Sequence, residues 1–319
     1  MKVLVLSNFP IPEVQPRHVD QIRRCAQNYE LVVSDAWESQ VIEASSAAII
    51  FGTVPLELFR HAPQLRWIQA VGAGIDKMLY PELVQSDVIL TSEKGQVGVH
   101  LAEHAFALLL GITRGIQRAL RQPRWQTRLV IREHASELNG RTLGIVGLGG
   151  TGRAVADRAA VFGMRVVAID SEPVDQPASV EWLARPDSLP ELLTQSDVVV
   201  ICAPLTAATE RLFNGERFAQ MKPGSILINV TRGEIVDYAA LIEALESGKL
   251  GGAGLDTAPK EPLPESDRLW NMENVIITPH VAGASPHRGD RIVALFCENL
   301  RRFQAGQPML GVIDKVKGY

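Results

Sequence analysis

No stretch of this 319-residue sequence approaches the roughly 18 consecutive apolar residues that a membrane-spanning helix needs. Its first apolar segment, VLVLS at residues 3–7, is too short for the core of a secretion signal. Positive charge is not in excess, because 32 Lys and Arg stand against 36 Asp and Glu, a formal net charge of -4. That balance gives no broad attraction to phosphate backbones or anionic lipid, so neither nucleic acid nor a membrane is expected as a partner. Cysteine is scarce. Cys25, Cys202 and Cys297 are odd in number and far apart, and are expected to be buried small hydrophobes in a reducing compartment. They suggest neither a disulfide frame nor a metal cluster, and His18, His61, His100, His134 and His287 show no metal-ligand spacing, so no metal is expected. Low-complexity tracts, internal repeats and long flexible linkers are also missing. What remains is a cytoplasmic enzyme or binding protein.

With 46% hydrophobic and 21% charged residues, the chain can build sizeable cores for two ordinary domains. Short apolar runs alternate with helical patterns along most of it. VLVLS (3–7), AAIIF (47–51), RWIQAV (66–71) and VILTS (88–92) read as buried strands. A second series comes after them: TLGIVG (142–147), RVVAID (165–170), DVVVIC (197–202), SILINV (225–230) and NVIITP (274–279). Helices are expected at 151–162, 238–246 and 288–302. This alternation is that of parallel α/β sheets, and two doubly wound sheets accommodate so many strands better than one. From Val99 to Leu120 runs an uninterrupted apolar stretch, expected to form one helix buried on most faces, between domains or between subunits.

The sharpest local motif is Gly147-Leu148-Gly149-Gly150-Thr151-Gly152, a GxGxxG between a strand-like and a helix-like segment. Gly147 suits the tight turn, Gly149 the approach of a pyrophosphate, and Gly152 close helix–strand packing. The pyrophosphate would meet the free N–H groups of the helix start. The next strand ends in Asp170, where a carboxylate would reach the adenosine ribose hydroxyls. Asp170 and Glu172 would repel the extra phosphate of NADP, and no Lys or Arg follows until Arg185, so NAD is the expected cofactor.

Three polar residues follow strand-like segments: Arg232 in NVTRGE, Glu261 in APKEPLP and His280 in NVIITPH. Ligands gather at the carboxyl ends of strands in open α/β sheets, so the three can converge there. Taken singly, each has an ordinary alternative: a surface ion pair, a solvated loop, a loop cap.

From residue 140 to 284 the chain resembles the D-isomer-specific 2-hydroxyacid dehydrogenase family, in its glyoxylate/hydroxypyruvate reductase-like branch. The matching pieces are GRTLGIVGLGGTGRAVADRAAVFGMRVVAID, SDVVVICAPLT, MKPGSILINVTRGEIVDYAALIEALESGKLGGAGLD, EPLP and NVIITPHVAG. LRWIQAVGAGID (65–76) and LAEHAFALLLGITR (101–114) also match, whereas the first sixty residues are much less diagnostic.

The resemblance implies that the protein interconverts small 2-keto acids and D-2-hydroxy acids with NAD. His280 would be the acid and base, since an imidazole titrates near neutral pH. Glu261 would orient its ring. Arg232 would hold the substrate carboxylate and polarise the keto group. Asp256 would orient the nicotinamide carboxamide, and Ala203, Pro204, Thr209, Val230 and Thr231 would complete the cofactor contacts. The substrate carboxylate would also meet a backbone nest at Gly72, Ala73 and Gly74. Phe51 would face the substrate side chain, and the absence of a basic residue there disfavours a phosphorylated substrate. Trp125 would line a neighbouring subunit's pocket or pack in the core. His104, inside the apolar helix, reads as a packing or interface histidine.

The architecture implied is two Rossmann-like doubly wound parallel-sheet domains, with an NAD-binding domain (98–285) inserted into a discontinuous flavodoxin-like substrate domain (1–97 with 286–319). Crossings at 98–100 and 282–284 would act as a hinge, and the 99–120 helix would form a homodimer interface. No C-terminal regulatory domain is expected. The chain departs from the family pattern at Thr231, where alanine or serine is commoner, and at Thr257-Ala258, which replace a more usual Val-Phe. Glu261 argues against the formate branch, where glutamine pairs the histidine. A phosphite-type dehydrogenase and a non-catalytic NAD-sensing protein remain as alternatives.

Overall fold

The computed structural model describes residues 1–7 and 15–319. Two compact units divide the chain: Met1–Val97 with Ala284–Tyr319, and Gly98–Gly283. Both are α/β, each built on one wholly parallel sheet.

The first unit carries β1 (Lys2–Leu6), β2 (Glu30–Ser34), β3 (Ala47–Phe51), β4 (Trp67–Gln69) and β5 (Ile89–Thr91), in the spatial order β2-β1-β3-β4-β5. This is the flavodoxin-like order. Helices on both faces force the central strands to be apolar on both sides, so β3 is buried at all five positions. Strand β2 is not among the expected strands. It lies at the sheet edge and is only partly buried, so its sequence, ELVVS, carries no strong apolar run. On one face an aromatic cluster forms the core: Phe296 packs 4.9 Å from Phe51 and 5.1 Å from Trp67, ring centre to ring centre.

Phe296 lies on the helix Arg288–Gln304, which packs against the helix Pro16–Cys25. Between these helices Cys25 and Cys297 form a disulfide, across 272 residues of sequence. This corrects the expectation that all three cysteines are unpaired. The returning helix brings the pair together, and nothing in the local spacing shows it. Cys202 alone is free.

The second unit holds β6 (Thr142–Val146), β7 (Arg165–Ile169), β8 (Trp182–Ala184), β9 (Val198–Ile201), β10 (Ser225–Asn229), β11 (Leu250–Leu255) and β12 (Val275–Ile277). Their order is β12-β11-β10-β9-β6-β7-β8, a Rossmann arrangement. Strands β8 and β11 are additions to the expected set. β11 reads LGGAGL, and its glycines hide it from any reading based on strand propensity.

The single helix expected over 99–120 is two helices, Gly98–Thr113 and Ile116–Arg121. Gly115 takes a left-handed φ of 65° between them, which ends the first helix. Burial is likewise divided. Ala102, Ala105, Phe106, Leu108, Leu109 and Ile112 are core residues, whereas Ile116 and Leu120 are exposed.

Truncating Phe296 removes the centre of the first unit's aromatic cluster. Phe296→Ala is expected to destabilise that unit by about 3–5 kcal/mol. Urea unfolding followed by tryptophan fluorescence checks this through Trp67, and a midpoint equal to the wild type's contradicts it.

Candidate active site

Strand order in the second unit reverses between β6 and β9, and in open α/β sheets ligands gather at the carboxyl ends of strands beside such a reversal. The turn after β6 lies at that end and leads into the helix Gly150–Val161. Two of its glycines are required by the protein itself. Gly147 has φ 96°, and a Cβ there would stand 2.7 Å from the Ala203 backbone nitrogen beyond β9. A Cβ on Gly152 would stand 2.1 Å from the Gly147 carbonyl oxygen. Gly149 differs, because a Cβ there would meet nothing within 4 Å. The space beside Gly149 is open, at the end of a helix whose first N–H groups have no intrahelical partner. Such a turn fits a dinucleotide pyrophosphate, with Gly150 and Thr151 opening the helix.

Asp170 follows β7. Its Oδ2 accepts from the Leu148 N–H at 2.6 Å and its Oδ1 from the Glu172 N–H at 2.8 Å. The carboxylate therefore fastens the glycine turn to the end of β7 and keeps lone pairs for a further donor. Arg153, on the helix after the turn, donates to the Asp175 carbonyl at 2.8 Å. It brings a guanidinium to the loop after β7, a cation overlooked when only residues downstream of Asp170 are counted.

Beyond β9, Ala203 is buried and Pro204 exposed. The Thr209 hydroxyl donates to the Pro204 carbonyl at 2.7 Å and accepts from the Thr206 N–H at 2.8 Å, which stiffens this loop. Burial pushes the neighbouring Cys202 thiol up to about 12, so it stays protonated and unreactive.

Arg232, Glu261 and His280 follow the adjacent strands β10, β11 and β12, at their carboxyl ends. Val230 and Asn229 are buried, and the Asn229 side chain shapes the turn after β10. Its Nδ2 donates to the Arg232 carbonyl at 2.8 Å and its Oδ1 accepts from the Thr231 N–H at 3.0 Å. The Arg232 guanidinium donates to the Thr231 carbonyl at 2.8 Å. Glu261 and His280 meet directly, with 2.8 Å between Oε2 and Nδ1. The other Glu261 oxygen accepts from the Ala258 N–H at 3.2 Å, so the carboxylate is oriented by its own loop. The His280 side chain is 44% exposed, so its ring is reachable from solvent.

His280 has φ 54°, uncommon for any residue but glycine. Its N–H donates to the Asp256 carbonyl at 2.8 Å, and the Asp256 carboxylate fixes the residues on either side. Oδ1 accepts from the Val281 N–H at 2.9 Å and Oδ2 from the Ala282 N–H at 2.8 Å. Thr278 donates its hydroxyl to Oδ1 at 2.6 Å. Since that hydroxyl proton is spent on Asp256, the Thr278 oxygen accepts from His104 Nε2, 2.8 Å away. His104 Nε2 is also 3.4 Å from Asp256. His104, read from sequence as a packing residue, thus belongs to the network under His280. Only tertiary structure shows it, since 174 residues separate it from Thr278.

In the first unit, Gly72, Ala73 and Gly74 follow β4, with Gly72 at φ 128° and Gly74 exposed. The Phe51 side chain is wholly buried among Val3, Val5, Trp67 and Phe296. Trp125 is 80% exposed, which excludes a packing role in its own core. Among the described residues, no group of three or more His, Cys, Asp or Glu could hold a metal ion.

Comparison with known proteins bears on this geometry. Residues 106–282 match the family model for the NAD binding domain of D-isomer specific 2-hydroxyacid dehydrogenase. A glyoxylate reductase from Korarchaeum cryptofilum is 35% identical over 270 residues, covering 82% of this chain and 79% of the relative. A glyoxylate reductase from Pyrococcus furiosus is 36% identical over 267 residues, covering 81% and 79%. A D-isomer specific 2-hydroxyacid dehydrogenase from Xanthobacter autotrophicus Py2, solved with NADPH and MES, superposes with TM-score 0.85 at 29% identity, covering 100% of this chain and 99% of that one.

The contrast among the glycines is testable. Gly152→Ala is expected to destabilise the second unit by about 1–3 kcal/mol, because a methyl would press on backbone. Gly149→Ala is expected to unfold like the wild type but to weaken NADH binding by about tenfold, since only a ligand needs that space. Thermal unfolding and NADH fluorescence titration separate the two. Wild-type NADH affinity in Gly149→Ala would remove the pyrophosphate from this turn.

Proposed function

The chain belongs to the D-isomer specific 2-hydroxyacid dehydrogenase family, and from that premise we propose that it reduces small 2-keto acids to D-2-hydroxy acids with NADH. The observation that carries this reading is the Glu261–His280 contact, at the same end of the sheet as the open Gly149 turn. Gly147, Gly149, Gly150, Thr151 and Gly152 would hold the dinucleotide's diphosphate and Asp170 its adenosine ribose. Ala203, Pro204, Thr209, Val230, Thr231 and Asp256 would line its nicotinamide half. When bound, NADH supplies the hydride.

The chain's own residues handle the proton and the anion. Glu261 engages His280 Nδ1, which leaves Nε2 to give a proton to the keto oxygen and to take it back in the reverse direction. Arg232 offers planar N–H donors to the substrate carboxylate and carbonyl. From the first unit, the Gly72–Gly74 turn would bind the carboxylate as a nest, through the N–H groups of Ala73 and Gly74. The glyoxylate reductases among the relatives support a small 2-keto acid as substrate.

Preference for NADH over NADPH rests on Asp170 and Glu172, whose charges oppose a 2′-phosphate. Arg153 and the NADPH-bound Xanthobacter structure make the margin worth measuring. We infer a homodimer that uses the helical region around 99–120 and its continuation, where Ile116, Leu120, Trp125, Leu129 and Val130 are exposed apolar side chains. Residence in the cytoplasm belongs to the same reading.

The first experiment is NADH oxidation by purified protein against a panel of 2-keto acids, with NADPH in parallel. Turnover of at least one acid, with kcat/KM at least about tenfold higher for NADH, is expected. His280→Asn should lower kcat by about 10²–10⁴-fold while NADH still binds. Arg232→Met should raise KM as well as lower kcat. Tight NADH binding without turnover of any keto acid would move the reading to phosphite oxidation or cofactor sensing.

A further inference from the structure

A buried ion pair in the first unit has no role in the proposed chemistry. Glu93, just beyond β5, is 1% exposed, and its Oε2 accepts from Arg288 Nε at 2.7 Å. Arg288 is the first residue of the helix Arg288–Gln304 and is itself buried. Both groups lie against the Gly72 turn. The Glu93 N–H donates to the Gly72 carbonyl at 3.2 Å, and the Gly72 N–H faces the Glu93 carboxylate and favours its charged form. Arg288 Nη2 lies 4.0 Å from where a Cβ on Gly72 would stand.

Burial pushes the Glu93 carboxyl upward, against the opposing pull of Arg288 and, more weakly, Arg291. Its second oxygen, Oε1, is buried without a hydrogen-bond partner. A buried pair of this kind adds little to stability, because desolvation offsets the attraction. It does act on geometry and charge. Two loops are tied at Gly72, and a carboxylate that would repel an anion at the turn is neutralised on the spot.

We propose that Glu93 and Arg288 are positioning residues for the Gly72–Gly74 anion-binding turn. Arg288 holds Glu93, Glu93 holds Gly72, and the neutrality of the pair leaves the N–H groups of Ala73 and Gly74 to attract the substrate carboxylate. This rests on the proposal that the turn binds the carboxylate of a 2-keto acid.

The test uses Arg288→Met, Glu93→Gln and the double variant, each in the full-length enzyme. Arg288→Met strands a buried carboxylate beside the turn. It should raise the keto-acid KM by about tenfold or more, with kcat at saturation within about threefold and NADH affinity unchanged. Relative to the wild type, that KM penalty should shrink as pH falls, because the stranded Glu93, already pushed upward by burial, then takes up a proton. The double variant should recover most of the KM, a rescue that a merely structural role does not give. Should Arg288→Met fail to fold, Arg288→Lys, which keeps the charge without the fork, should show a smaller rise of the same kind. Hydrogen exchange of residues 70–76 gives a readout without substrate, and it should be faster in Arg288→Met. A wild-type KM together with wild-type exchange overturns the proposal, as does a KM rise that the double variant leaves in place. If the wild-type enzyme reduces no 2-keto acid, the underlying reading fails instead, and exchange still decides whether the pair orders the turn.

Discussion

Asp256 carries a carboxylate that is 1% exposed, and the local structure around His280 depends on how that charge is satisfied. An isolated buried carboxylate is too costly to persist unless it is hydrogen-bonded from several sides. Here the donors are the N–H groups of Val281 and Ala282 and the hydroxyl of Thr278, all within three residues of His280. Three short bonds to one carboxylate leave this stretch little freedom, and they hold His280 in a backbone conformation that a free chain rarely adopts. The ring is then aimed by Glu261. Two carboxylates therefore divide the labour: the buried one sets the main chain, and the exposed one sets the side chain.

The parallel sheet explains why these residues occur where they do. All seven strands of the second unit run the same way, so every strand delivers its following loop to one end. Neighbours in the sheet, β10, β11 and β12, bring Arg232, Asp256 with Glu261, and His280 to that end. The glycine turn follows β6, beside the reversal between β6 and β9. Gly147 and Gly152 serve the protein's own packing, and Gly149 leaves space that the protein itself does not fill.

Much of this is legible in the sequence, for physical reasons that also explain the misses. Strands buried on both faces, such as AAIIF and TLGIV, must be continuously apolar, and that pattern marks them. Edge strand β2, with one face wet, and β11, with three glycines, break that rule and escape it. The glycine turn is a local pattern and is readable. So is the break that Gly115 makes in the 99–120 stretch, although the hydrophobicity of the stretch outweighs that signal. Contacts across long separations are not readable. His104 with Thr278, Cys25 with Cys297, and Glu93 with Arg288 are joined only by the fold. The Phe51 side chain, at the end of β3, packs into the aromatic core with Trp67 and Phe296, a contact likewise joined only by the fold.

The two most buried carboxylates near candidate ligand loops, Asp256 and Glu93, are stabilised in different ways. Asp256 is satisfied by neutral N–H and hydroxyl donors. Glu93 is neutralised by a guanidinium, and one of its oxygens goes without a partner. Donors alone would have satisfied Glu93 more fully but would have left a negative charge beside the turn proposed to bind a carboxylate. Over a few ångströms in a poorly solvated site, that repulsion would outweigh one lost hydrogen bond. An imperfectly hydrogen-bonded but neutral pair suits an anion-binding turn better than a fully hydrogen-bonded charged group.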